Sequence, residues 1–90
     1  MHTALTATAA AASVASVNGQ LAESYRLLET AYRQERRAEG SIRLWSLTLL
    51  GEMADRLGRV ADARDHYKRA LALGIHDAYL LGAYADHLLA

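Results

Sequence analysis

Apolar residues recur along this chain at the three- and four-residue steps that mark one face of an α-helix. Glycines interrupt the pattern, and proline is absent. The pattern predicts five helices, over residues 3–17, 20–38, 42–57, 60–73 and 78–90. Because the connections are short, consecutive helices are expected to pair as antiparallel hairpins. We therefore predict an all-α fold with its helices paired in sequence order.

The same pattern predicts caps and inward-facing side chains. Ser41 and Asp77 are the expected N-caps of the third and fifth helices, because their side chains can accept a hydrogen bond from a backbone N–H of the first turn. The inward positions expected on the third and fourth helices are Leu44, Leu47, Leu50, Met53, Ala54, Leu57, Val60, Ala63, Tyr67, Ala70 and Leu71. The expected solvated face of the fourth helix carries Asp62, Asp65, His66, Lys68 and Arg69.

The overall charge argues against nucleic-acid and membrane partners. Ten basic and ten acidic residues cancel, so the chain has no electrostatic footprint for either surface. No segment approaches the roughly 20 apolar residues of a membrane span, and the N-terminus lacks the basic region of an export signal. The absence of cysteine excludes disulfides and is compatible with the cytoplasmic location that we expect.

Candidate chemistry is sparse. Asp62 and His66 stand four residues apart on one helix face and supply two metal ligands, whereas zinc sites use three or four. No G-x-S-x-G nucleophile motif occurs. We therefore predict no enzyme activity, no metal and no cofactor.

Residues 47–73 resemble a tetratricopeptide repeat, a 34-residue helix–turn–helix unit with small and large residues at fixed places. The matching positions are Leu47, Leu50, Gly51, Ala54, Gly58, Ala63, Tyr67 and Ala70. Similar residues recur 34 positions later and 39 positions earlier, although the closing proline of the family is missing. The resemblance implies a short right-handed α-α superhelix of about two and a half repeats. The expected units are 5–38, 44–77 and a half unit, 78–90, in one domain, 1–90.

The resemblance also implies a function. In this family the first helices of the pairs line a concave groove that binds peptides, so we expect a non-catalytic protein-interaction scaffold. The implied groove residues are Trp45, Thr48, Glu52, Asp55, Arg56, Tyr79, Gly82 and Asp86, with the small residues Thr6, Ala9, Ser13 and Ser16 from the first helix. Thr48 and Glu52 replace the Lys and Asn with which some members clamp a carboxylate, so no such clamp is expected.

The implied groove is acidic with aromatic walls, which suits a basic or amphipathic partner segment. Trp45 has two interpretations that the residues alone leave open. It is either a hot-spot anchor of the groove, as large aromatics often are, or a side chain packed on the linker at 36–42.

A helix-turn-helix DNA-binding unit over residues 53–71 is the alternative function. Arg59 and Arg64 stand where that motif usually has apolar residues, and Asp62 and Asp65 would repel phosphates.

The fifth helix is unusually apolar for the end of a helical array, which normally needs a polar cap. Its apolar positions include Leu80, Leu81, Tyr84, Leu88 and Leu89. We expect either that the chain is a fragment of a longer repeat protein or that a second copy covers this helix in a homo-oligomer.

Overall fold

Five helices make up the fold in a computed structural model, which describes residues 4–17, 19–35 and 39–89. They are α1 (Ala4–Val17), α2 (Leu21–Gln34), α3 (Gly40–Arg56), α4 (Val60–Ala72) and α5 (Ala78–Leu89). No strand occurs among the described residues. The all-α prediction is confirmed.

Two helix ends differ from the predicted ones by more than one residue. α2 ends at Gln34 rather than at 38, and residues 36–38 lie outside the described part of the chain. Ser41 is not an N-cap, because α3 already begins at Gly40 and the backbone N–H of Arg43 donates to the carbonyl of Glu39 at 2.9 Å. The Asp77 cap is confirmed: its Oδ1 accepts from the N–H of Leu80 at 3.0 Å.

α3 lies at the centre of the fold. It packs against all four other helices, with α1 and α2 paired on one side and α5 on the other. A helix that is apolar around most of its circumference has to be buried on several sides. The buried apolar side chains of α3 are Leu44, Leu47, Leu49, Leu50, Met53 and Ala54.

Small residues let α3 and α4 approach closely. A Cβ added to Gly51 would lie 2.6 Å from Cζ of Tyr67, so glycine leaves the space that the tyrosine ring fills. The turn between the helices uses Gly58 at φ +79°, a left-handed conformation that favours glycine. The predicted small-and-large packing pattern is therefore present in the α3–α4 hairpin.

Two predictions for α4 were wrong. Val60 was expected inside but is half exposed. His66 was expected on the solvated face but is only 7% exposed, and its Nε2 lies 2.8 Å from the hydroxyl oxygen of Tyr25 on α2. The neighbouring hairpin covers this part of α4, which the period of a single helix does not reveal. The other residues expected on that face, Asp62, Asp65, Lys68 and Arg69, are exposed.

Candidate partner groove between α3 and α5

α3 and α5 lie side by side and form a shallow pocket of about 210 Å³. Its lining residues are Glu52, Asp55, Arg56, Tyr67, Ala83, Asp86 and His87. Four of the residues that the sequence assigned to the groove, Glu52, Asp55, Arg56 and Asp86, meet here. We call this pocket, with the adjoining side chain of Tyr79, the α3–α5 groove.

A hydrogen bond between His87 and Asp55 joins the two helices at the floor of the groove. His87 Nδ1 lies 2.7 Å from Oδ2 and 2.9 Å from Oδ1 of Asp55. The His87 ring is buried and lies 5.1 Å from the Tyr67 ring, centre to centre, while the Tyr84 ring stacks on it at 6.1 Å. Since the imidazole is held on several sides, it fixes the position of α5 against α3.

A second polar contact joins Tyr79 to Glu52, with the tyrosine hydroxyl donating to the carboxylate. Burial, and then this hydrogen bond, raise the pKa of Tyr79. Burial also raises the pKa of Tyr67, with a smaller contribution from the nearby charge of Glu52. Both phenols therefore stay neutral at physiological pH and give the groove uncharged aromatic walls beside its carboxylates.

Trp45 and Thr48 are placed differently from the other predicted groove residues. Thr48 is completely buried and its Oγ1 donates to the carbonyl of Leu44 at 2.8 Å, so it cannot reach a partner. Its assignment to the groove was wrong, because α3 is covered on that side as well. Trp45 is half-buried against the core, about two helical turns from Glu52.

The remaining predicted groove positions do not line this pocket. Gly82 is exposed with nothing within 4 Å of an added Cβ, and Ala9 is completely buried. Thr6 and Ser13 are half-buried on α1, and the side chain of Ser16 lies outside the described residues.

Sequence reasoning missed His87 as a groove residue. It stands 32 residues from Asp55, and only the packing of α5 on α3 brings the two together. No local motif signals such a contact.

Over residues 4–17, 19–35 and 39–89, no three side chains of His, Cys, Asp and Glu come together in a way that could hold a metal ion. Within the same ranges, no helix is long and apolar enough to cross a membrane.

A model of the tetratricopeptide repeat family matches residues 3–74, which hold both helical hairpins. No curated protein and no solved structure matches significantly. The family match covers most of the chain and agrees with the close α3–α4 packing around Gly51 and Tyr67. The chain therefore belongs to the tetratricopeptide repeat family.

Proposed function

We propose that this protein is a non-catalytic scaffold that binds a segment of a partner protein in the α3–α5 groove. Tetratricopeptide repeats generally mediate protein–protein interaction. The observation that supports this particular groove is the convergence of three carboxylates, from Glu52, Asp55 and Asp86, on one pocket with aromatic walls.

The partner segment that suits this groove is basic or amphipathic. Glu52 and Asp55 already have partners in Tyr79 and His87, whereas Asp86 is exposed. An Arg or Lys of the partner would pair with Asp86, and its aliphatic stem would pack on the tyrosine rings. The charge of Asp86 would then select for a cation.

Peptide titration tests this proposal. The probes are an amphipathic helical peptide with Lys and Arg on one face and the same peptide with Glu at those positions, titrated by calorimetry. We expect only the basic peptide to bind, and Asp86→Asn to weaken binding about two- to fivefold. Asp62→Asn is the matched control, because it removes the same charge from an exposed site on α4. Equal binding of both peptides, or equal effects of both variants, would contradict the proposal.

Trp45 remains our proposed anchor at the far end of the groove. An anchor is desolvated on binding, so tryptophan emission should shift to shorter wavelength as the basic peptide saturates the protein. The chain has one tryptophan, so the signal is unambiguous. If the emission does not change at peptide concentrations that calorimetry shows to be saturating, Trp45 is not an anchor of the groove.

No contact in the described residues favours the helix-turn-helix alternative over 53–71. The two helices of that motif cross at about 90–120° and therefore diverge from their connection. In this chain α3 and α4 stay close, because Gly51 and Tyr67 pack against each other more than a turn away from the α3–α4 connection. Salt-dependent binding to random duplex DNA would support the helix-turn-helix alternative. The cytoplasmic location also stays a prediction, which cell fractionation would test.

We also propose that the chain associates with itself through α5. Leu81 and Leu88, both expected in that contact, are 49% and 63% exposed. The expectation that Leu80 and Tyr84 also take part in that contact was wrong. Leu80 is completely buried and Tyr84 half-buried, because both side chains face the core.

A further inference from the structure

The outward face of α5 is exposed and carries no charge. Its residues are Ala78, Leu81, Gly82, Ala85, Leu88 and Leu89. Leu89 is 86% exposed, so all three leucines of this face offer large apolar areas to solvent. Contiguous apolar surface of this kind on a helix that is otherwise well packed marks a contact surface.

Given the proposed self-association, on which this pairing rests, we infer that two copies pair their α5 helices in antiparallel orientation, with Leu81 of each copy against Ala85 of the other. Ala78, Leu81, Ala85 and Leu88 follow the alternating three- and four-residue spacing of a helix–helix seam. We call these four residues the α5 seam.

The order of residue sizes along the α5 seam selects the antiparallel direction. Small and large residues alternate, so an antiparallel pair centred near Ala83 sets Leu81 opposite Ala85 and Leu88 opposite Ala78. Every leucine then fills the space above an alanine, as close packing requires. An in-register parallel pair would instead set leucine against leucine and alanine against alanine, which leaves gaps between the helices.

A comparison with α3 indicates that a leucine side chain fits over Ala85 better than a tyrosine ring does. Shifted by 34 residues, Leu81 and Ala85 correspond to Leu47 and Gly51. α4 covers Gly51 with the ring of Tyr67, and a Cβ at Gly51 would lie 2.6 Å from that ring. Ala85 carries this Cβ, so a tyrosine in the same place would collide with it. The thinner leucine side chain of a second α5 avoids that collision.

The α5 seam and the α3–α5 groove occupy different faces of α5. Tyr79 and Asp86 point about a third of a turn away from the seam centre, and Leu80, Ala83 and His87 face the core. A dimer formed through the seam therefore leaves both grooves open and presents two partner sites in one assembly.

Sedimentation velocity across a range of protein concentrations tests the pairing. The α5 helices are only about three turns long, so the interface falls below the roughly 1,200 Å² of standard interfaces and we expect micromolar dissociation. Ala85→Glu buries a charge against leucine and should raise the dissociation constant about tenfold or more. Ala61→Glu is the matched control, because Ala61 is an exposed alanine of α4. Circular dichroism verifies that both variants fold.

Disulfide trapping tests the direction, because the chain has no cysteine of its own. We expect a mixture of the Leu81→Cys and Ala85→Cys chains to form the mixed disulfide faster than a mixture of the Leu88→Cys and Ala85→Cys chains. A concentration-dependent dimer without this preference would overturn the antiparallel pairing and leave self-association standing. A monomer at every concentration would overturn both. Peptide titration of the Ala85→Glu chain reports on the groove separately.

Discussion

A single methyl group tests the contact between α3 and α4. In Gly51→Ala the new Cβ would lie 2.6, 2.7 and 2.9 Å from three ring atoms of Tyr67. Ordinary carbon–carbon contacts are about 3.5–4.0 Å, so the ring or the helix has to move by about 1 Å. Tyr67 is 1% exposed and the rings of Tyr84 and His87 lie against it, so it has little freedom to move.

Two opposing effects set the expected size of the change. Alanine in place of glycine inside a helix stabilises by about 1 kcal/mol through backbone propensity. Overpacking of a closed core costs about 1–3 kcal/mol, and the fixed Tyr67 ring places this site near the upper end. We expect Gly51→Ala to lower the free energy of unfolding by about 1–2 kcal/mol, a fall in Tm of about 4–16 °C for a domain of this size.

Thermal and urea unfolding followed by circular dichroism measures the effect. Gly82→Ala is the matched control, because Gly82 also lies inside a helix but nothing lies within 4 Å of its added Cβ; measured on the monomer, it should stabilise by up to about 1 kcal/mol. In a Tyr67→Leu background, Gly51→Ala should lose most of its cost. If Gly51→Ala stabilises the protein as much as Gly82→Ala, the steric explanation is refuted.

Three further predictions concern other contacts. Burial lowers the pKa of His66, so below about pH 6.5 the unfolded chain binds a proton that the folded chain does not, and we expect Tm to fall between pH 7 and pH 5. His66→Gln should reduce this fall in Tm, whereas the control His76→Gln, at an exposed site, should leave it unchanged. Asp77→Ala should cost about 0.5–2 kcal/mol in urea unfolding by removing the cap of α5, and an unchanged midpoint would contradict it. His87→Ala should lower the free energy of unfolding by about 1–3 kcal/mol, because it leaves Asp55 without its partner. If the effects of His87→Ala and Asp55→Asn simply add in the double variant, the two side chains are not coupled.

Local sequence signals were sufficient to predict the helices and the packing within the α3–α4 hairpin. The spacing of apolar residues fixes which stripe of each helix is buried, because the helical repeat is a property of the backbone. Gly51, Tyr67 and Gly58 have their roles within one hairpin, where a short turn leaves few ways for two helices to pack. The Asp77 cap is more local still, since it depends on contacts three residues away.

Contacts between hairpins were not predictable in the same way. Leu27 and His66 occupy corresponding positions 39 residues apart, yet Leu27 is 50% exposed and His66 is 7% exposed. The residues themselves would suggest the opposite, since leucine is apolar and histidine polar. His66 is buried because α2 supplies Tyr25 against it, whereas in the described residues no helix lies against Leu27 from outside the first hairpin.

The sequence by itself thus determined the helices, their pairing into hairpins and the family pattern of small and large residues. The tertiary structure decided which polar side chains are buried and which meet in the groove, as His87 and Asp55 do across 32 residues. It also removed Thr48 from the groove by covering it. The physical reason is that a helix repeat encodes one buried stripe, while the burial of its remaining faces depends on which neighbouring helices pack against them.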